Sequence, residues 1–469
     1  MPFIPHTAAD VASMLNTLGL STLDQLFDEI PAQLKIPFQD FSTYVPPGMT
    51  EFEITRLMSE RALQDTPLLN FVGAGAYEHH IPAAVWDIAG RGEFMTSYTP
   101  YQAEASQGNL QLIYEYQSMM TELTQMEISN ASLYDGASAL AEAVLMAVRI
   151  QQSRAAHEKP FVWVAGTLHP TYQETLKTLL SPHEIEWAVW PFEASDGESA
   201  AKMGVVCLEK ADQRLGARRV SAVVIQQPNF LGQLEAVSAI TDWVHDRDGL
   251  LIAVVNPLSL GLLEAPGAWG KTGADIVCGE GQPLGIPLAS GGPYFGFLCT
   301  RQALVRQMPG RIVGQTVDQA GRIGYTLTLQ AREQHIRRAK ANSNICTNQG
   351  LLVTAATLYM SLLGVTGLYR VGVSSHHRTQ QLVAQLCEIP GVRLKFTGPY
   401  FHEVVLAFNR PITEVLRGLR ERGIAGGYAL GTVYPQLSDC LLMCATETKI
   451  QADLDRYTVA LRQVMEANH

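Results

Sequence analysis

Two stretches of the chain carry residues suited to hold a small charged molecule. Tyr134-Asp135-Gly136-Ala137-Ser138-Ala139 opens a helix expected to run to about Ile150. Small residues at a helix start leave backbone N–H groups pointing outward, beside the positive end of the helix dipole. That is a natural cradle for phosphate. Gly136 and Ser138 are therefore candidate anion contacts; the plainer reading is an ordinary capped helix. In the second stretch Tyr98 and Tyr101 flank Pro100, and Gln102 and Glu104 follow. An aromatic, hydroxyl-bearing loop can close over a small zwitterion or stack near a cofactor. Tyrosine is also common in subunit interfaces, and a joint role is expected. Arg332, Arg337 and Arg338 can grip a carboxylate or phosphate by bidentate bonds. The alternative is a helix with charged, exposed faces.

Other chemistries are excluded by composition and spacing. The seven cysteines (207, 278, 299, 346, 387, 440 and 444) include no Cys-x-x-Cys. They read as reduced thiols of a cytoplasmic protein, not as a metal site. The pairs His79-His80 and His376-His377 lack metal-ligand spacing, so no metal is expected. Gly73-x-Gly75 lacks the third glycine and following acid of a dinucleotide fingerprint. The net charge is -11 without basic clusters, which argues against nucleic acid. Neither a signal peptide nor a stretch of membrane-spanning length is read from the sequence, so no membrane partner is expected.

The elements that position these residues follow from apolar periodicity. Residues 1–65 read as a helical arm, with capping boxes at Thr7–Asp10 and Ser21–Asp24. Val11, Met14, Leu15 and Leu18 lie at helical spacing before Gly19. Leu23, Leu26, Phe27 and Ile30 repeat the pattern before Pro31, and another helix begins near Thr50. Residues 66–345 alternate helices with short apolar strands at 161–165, 185–189, 203–208, 220–225, 250–255, 275–278 and 294–298. Nearly continuous apolar strands are covered on both faces, which predicts an α/β domain around a mostly parallel seven-stranded sheet. Residues 346–469 read as a small α+β domain. It comprises a helix over 351–363, a strand over 402–408, a helix over 412–422, a strand over 440–445 and a last helix through Val464.

Several blocks together resemble one family. Asp275 to Pro293 is a strand followed by a Gly- and Pro-rich loop ending Gly291-Gly292-Pro293. It resembles the segment after which fold-type I pyridoxal-phosphate (PLP) enzymes carry their Schiff-base lysine, and glycine decarboxylase in particular. Gly73–Pro82, Ser97–Gly108, Gln330–Gln349, Gln226–Phe230 and the arm are similar to the same family, the P-protein of the glycine cleavage system, along essentially the whole chain. The resemblance implies a fold-type I PLP-dependent transferase-like architecture. It also implies decarboxylation of glycine, with transfer of the aminomethyl group to the lipoyl arm of H-protein.

Two departures from the family matter. Gln282 stands where the cofactor-carrying part has lysine, and a carboxamide nitrogen, delocalised into its carbonyl, forms no imine. Val254 falls on or next to the position of the aspartate that pairs with the pyridine nitrogen. Of the nine lysines, Lys271 precedes the strand and Lys340 lies past the sheet. The resemblance thus implies the N-terminal-type subunit of a split enzyme. It implies no catalytic residue on this chain, PLP on a partner subunit and an α2β2 assembly. The alternatives are a scaffolding or regulatory pseudoenzyme, and a self-sufficient PLP enzyme using Lys271 or Lys340. The ring of His169 is expected to be a vestige of a cofactor-stacking group.

Overall fold

The computed structural model describes residues 5–35, 46–65, 67–95, 98–154, 159–192, 203–289 and 291–467. Residues 1–67 and 68–469 are separate compact units. In the first, a helix over Ala8–Leu18 starts at the Thr7–Asp10 capping box and stops at Gly19, whose φ of 71° only glycine adopts freely. A second helix over Glu51–Ala62 starts from a Thr50–Glu53 box. Between them Leu23–Phe27 is a 3₁₀ turn. The box expected at Ser21–Asp24 does not form there. Gln25 reaches back instead and accepts from the N–H groups of Ser21 (2.6 Å) and Thr22 (3.1 Å).

The second unit begins with β1 (Leu69–Asn70), which pairs in parallel with Ile424–Ala425. Its main sheet contains β2 (Ile128–Ser129), β3 (Phe161–Ala165), β4 (Glu186–Trp190), β5 (Ala222–Gln227), β6 (Leu250–Val255), β7 (Ile276–Glu280) and β8 (Gly296–Thr300). The order is β2-β8-β7-β6-β5-β3-β4; β7, β6, β5, β3 and β4 run parallel, and β8 is antiparallel to both of its neighbours, β7 and β2. Alternate residues of each strand feed two cores. Trp163, Val223, Leu251 and Val277 face one; Val164, Val224, Ile252 and Cys278 face the other.

The count of seven strands is as read, but one member differs. Met203–Leu208 is not a strand: it is a turn, one bridge from Val206 to Phe192, and the start of a 3₁₀ helix. Met203 and Val206 are buried within a loop, and burial alone does not dictate strand. Ile128–Ser129 takes the place in the sheet.

A hairpin absent from the sequence reading follows, β9 (Ile312–Val317) with β10 (Ile323–Thr328). The Asp318 carboxylate accepts from the N–H groups of Ala320 and Arg322 and closes its turn. The helix expected over 351–363 runs from Gly350 to Leu386, broken at Gly364, where φ is 59°. It is long and apolar enough to cross a membrane, contrary to expectation, yet half of its most apolar window is buried. Leu352, Val353 and Tyr359 lie in the first core of the main sheet. The remainder forms an antiparallel sheet of β11 (Val392–Leu394), β12 (Glu403–Phe408), β14 (Tyr428–Ala429) and β15 (Cys440–Cys444), in the order β11-β12-β15-β14. The Ile412–Glu421 and Gln451–Glu466 helices bury Val415, Leu419, Leu454 and Leu461 in one core with residues of that sheet.

Trp163 stacks on Trp190 with ring centroids 4.4 Å apart and planes within 9°. Trp163→Ala is expected to destabilise the protein by about 3–5 kcal/mol, read as a lower urea midpoint at unchanged slope. A loss under about 1 kcal/mol would mean that this stack does not hold its side of the sheet.

Candidate functional site

The carboxyl ends of parallel strands are where open α/β sheets bind ligands. Here those ends bring together Gln226, Val254, Asn256 and Glu280 with Gly75, Tyr77, His169 and Tyr172. Val254 lies in β6 between Gln226 and Cys278 of the neighbouring strands and is buried. Its isopropyl group has no means of holding a pyridinium proton.

Gln282 follows the end of β7 and is 1 % exposed. Its carbonyl oxygen accepts from the N–H of Tyr77 (2.9 Å). Its amide donates to the carbonyls of Tyr77 (2.8 Å) and Ile286 (2.7 Å). Both donors and one lone pair are thus used on backbone, so this side chain staples the loop before residue 80 to the loop after β7.

The cradle at the start of the Gly136–Arg154 helix is filled from within. Glu280 Oε2 accepts from the Gly136 N–H at 3.0 Å, and its Oε1 accepts from the Phe295 N–H at 3.2 Å. Asp135 Oδ1 accepts from the Ser138 N–H at 2.7 Å. The two groups expected to contact an external anion are therefore both committed to carboxyl groups of this chain. A methyl group on Gly136 would sit 2.1 Å from the Tyr172 hydroxyl, so close approach requires glycine there. Burial pushes the Glu280 carboxyl up to about 8, and the nearby Asp135 adds to the rise.

His169 caps the next helix. Its Nδ1 accepts from the Thr171 N–H at 3.2 Å, which leaves the proton on Nε2 to donate to the Ala74 carbonyl at 2.9 Å. Burial holds its pKa below the usual histidine range, so the ring is neutral at physiological pH. It lies against Tyr172, centroids 5.1 Å apart.

PLP does not fit this arrangement. The space there is about 40 Å³, far below the roughly 300–1,000 Å³ usual for a ligand site. The phosphate cradle is taken by Glu280, and no amine stands at position 282. Lys271 and Lys340 are both exposed.

The other predicted residues lie along a separate edge. Tyr98 is 74 % exposed and Tyr101 50 %; Gln102 and Glu104 are exposed as well. Behind Tyr101 sits Arg311, 3 % exposed, which donates to its hydroxyl at 2.5 Å with the guanidinium 5.1 Å from the ring centroid. Arg311 also pairs with buried Glu333 and donates to the Cys346 carbonyl. The Thr99 and Thr347 hydroxyls are 2.8 Å apart, and the Cys346 N–H donates to the Tyr134 hydroxyl at 2.7 Å. A cavity of about 360 Å³ lies beside this edge, lined by Tyr98, Pro100, Asn109, Asn348 and Leu351.

Arg332 is not available to an anion. It is buried and donates to the carbonyls of Met308, Gly310 (3.0 Å) and Leu329 (3.1 Å). Burial lowers it to about 10, so it stays charged at neutral pH. Arg337 is exposed on a four-residue helix. Sequence reasoning missed Glu280, Arg311 and Glu333. The one available signal was a lone acid closing an otherwise apolar strand, as Glu280 does.

Comparison with known proteins shows the family. The family described as "Glycine cleavage system P-protein" matches residues 1–461. A protein of Nitrosomonas europaea described as "Probable glycine dehydrogenase (decarboxylating) subunit 1" is 57 % identical over 468 residues, 100 % of both chains. One of Thioalkalivibrio sulfidiphilus with the same description is 55 % identical, covering 99 % of this chain and 100 % of that one. The crystal structure of an inhibitor-bound glycine decarboxylase (P-protein) of the glycine cleavage system superposes with a TM-score of 0.84. It is 40 % identical over 99 % of this chain and 100 % of that one. Glutamate decarboxylase of Lactobacillus brevis, 11 % identical with a TM-score of 0.67 over 96 % and 98 % of the two chains, shares the fold.

Two outcomes are expected at this site. Gln282→Lys does not produce visible absorbance when PLP is added, and the unpaired buried ammonium destabilises the chain by about 3–5 kcal/mol. A coloured adduct on that lysine would contradict the closed pocket. The second concerns pH. Burial raises Glu280 to about 8 and Glu235 and Glu403 each to about 7. Carboxyls raised in the native state add stability that is complete below their unfolded values and is lost as pH rises through the folded ones. The urea midpoint is therefore lower at about pH 8.5 than at about pH 6, and Glu280→Gln narrows the gap. Equal midpoints in the unaltered protein would show that these carboxyls are not raised.

Proposed function

The chain belongs to the glycine cleavage system P-protein family, and from that premise we propose that it is the subunit of a two-chain glycine decarboxylase that does not carry the cofactor. It acts as an enzyme subunit in the glycine dehydrogenase (decarboxylating) reaction, the activity named for its full-length relatives. One observation carries the assignment of the cofactor to the other chain. The position after β7 holds a carboxamide with its hydrogen bonds spent on backbone, beside a space of only about 40 Å³.

The partner in this reading is the second P-protein subunit, with PLP on its own lysine, in an α2β2 assembly. Glycine is the substrate, and the lipoyl arm of H-protein takes the aminomethyl group. This chain contributes one wall of the shared site through Tyr98, Tyr101, Gln102 and Glu104. Three features support that role. The tyrosines are exposed, Tyr101 is braced from behind by the buried Arg311–Glu333 pair, and aromatic surface of this kind favours interfaces. Arg337 is close in sequence to that pair and exposed, so it remains a candidate anion contact in the assembled site. We place the subunit in the cytoplasm, since all seven cysteines are free thiols.

The chain purified alone and mixed with PLP is expected to show neither visible aldimine absorbance nor glycine decarboxylation. Adding the partner subunit restores both. A yellow, active isolated chain would overturn the assignment. In the reconstituted enzyme, Tyr98→Ala with Tyr101→Ala should lower turnover by about tenfold or more, near 1.4 kcal/mol of transition-state stabilisation, with assembly intact. Unchanged turnover would leave the chain a scaffold only.

A further inference from the structure

A groove of about 680 Å³ runs along one face of the Gly136–Arg154 helix. It falls within the roughly 300–1,000 Å³ usual for small-molecule sites. Its floor is Ser138, Glu142, Leu145 and Arg149, spaced four, three and four residues apart and hence a single helical stripe. Leu179, the turn at 183–185 and the segment 341–345 form the facing walls.

Two charged side chains of this stripe are left incomplete. Glu142 is 7 % exposed; its carboxyl group bonds the Ser343 side chain, while its Oε2 has no hydrogen-bond partner. Arg149 donates one terminal N–H to the Gln307 carbonyl at 3.0 Å, while its buried Nε–H is unpartnered. Buried polar atoms are nearly always paired, and each orphan costs about 1–3 kcal/mol. Their Cα atoms are about 10 Å apart along the axis. Helical side chains lean toward the N-terminus, so the Arg149 guanidinium is carried back over Leu145 toward Glu142. Each acts on the other electrostatically, yet burial dominates both. It raises the Glu142 carboxyl and lowers the Arg149 guanidinium from their ordinary values. A cation beside the first and an anion beside the second would reverse both effects.

We propose that this groove binds a small zwitterion, an α-amino acid with an apolar side chain. Its ammonium sits on Glu142, its carboxylate on Arg149, and its side chain along Leu145 and Leu179. Neither charged end alone satisfies both orphans, and the apolar side chains of Leu145 and Leu179 that also line the groove select a ligand with an apolar body. The inference uses no feature of the closed interior at the strand ends and stands apart from the assignment of the cofactor.

The test is calorimetric titration of the isolated chain and of the assembled two-subunit enzyme with L-leucine, L-leucinamide and 4-methylpentanoate. L-leucine is expected to bind, with each analogue, lacking one charge, at least about tenfold weaker. Glu142→Gln and Arg149→Met each weaken L-leucine by at least about tenfold. If a variant does not fold, as judged by circular dichroism, the analogue series on the unaltered protein decides. Absence of L-leucine binding at millimolar concentration would overturn the proposal. Equal affinity for the three ligands, or indifference to both substitutions, would do the same. So would binding that the isolated chain shows and the assembled enzyme lacks, since the groove would then be a subunit contact.

Discussion

A hydrogen-bond acceptor of the chain's own making, the Glu280 carboxyl group, sits on the Gly136 N–H at the start of a nineteen-residue helix. A helix start offers unpaired N–H groups beside a partial positive charge, and an acceptor oxygen must meet them. In this chain the demand is met internally, by a side chain at the end of the neighbouring strand. The consequences spread outward from that contact. Tyr172 closes against Gly136, His169 stacks on Tyr172, and the neutral His169 ring donates to the Ala74 carbonyl. The loop containing Ala74 is further tied by Gln282, which bonds both backbone groups of Tyr77, and by Glu403, which accepts from the Ala74 N–H and the Tyr77 hydroxyl. A site that in related folds is open to a ligand is here a connected set of satisfied polar groups. Such a network is rigid because loss of any member leaves another buried and unpaired.

The same economy is absent at the edge formed by Tyr98 and Tyr101. There the charged groups are placed behind the surface and the aromatic rings in front. Arg311 and Glu333 are buried, and their pairing fixes the Tyr101 ring from below. A half-exposed tyrosine held by a buried guanidinium presents a pre-set surface, which lowers the entropy lost on contact with another protein. The chain thus closes the interior that could have held a cofactor and stiffens a border that can serve a neighbouring one.

The reading from sequence succeeded where a local pattern determines structure. Leu250–Val255 was read with its bounds intact, because six apolar residues in a row buried on both faces leave few alternatives. The Thr7–Asp10 box was legible because both partners lie within one turn. Met203–Leu208 failed because an apolar run marks burial, and a buried loop satisfies that mark as well as a strand does. The β9–β10 hairpin escaped because its outer half is largely exposed, apolar Val317 and Ile323 included, so no core face announces it. The long helix was read short because the pattern weakens at Gly364, although the helix resumes beyond it.

At the site, the residue types alone ruled out an imine at position 282, since that is a property of the carboxamide itself. They also marked the helix start at Gly136 as a place for negative charge. Which acceptor occupies it was beyond the sequence, because Glu280 lies 144 residues away along the chain and meets Gly136 only when the sheet and helix pack. Arg332 shows the same division. Its charge was evident, but its commitment to the carbonyls of Met308, Gly310 and Leu329 depends on a fold of the backbone that brings acceptors from 22 and 24 residues away. Chemical capacity belongs to side chains and is local; whether that capacity is spent inside or offered outside is decided by non-local packing.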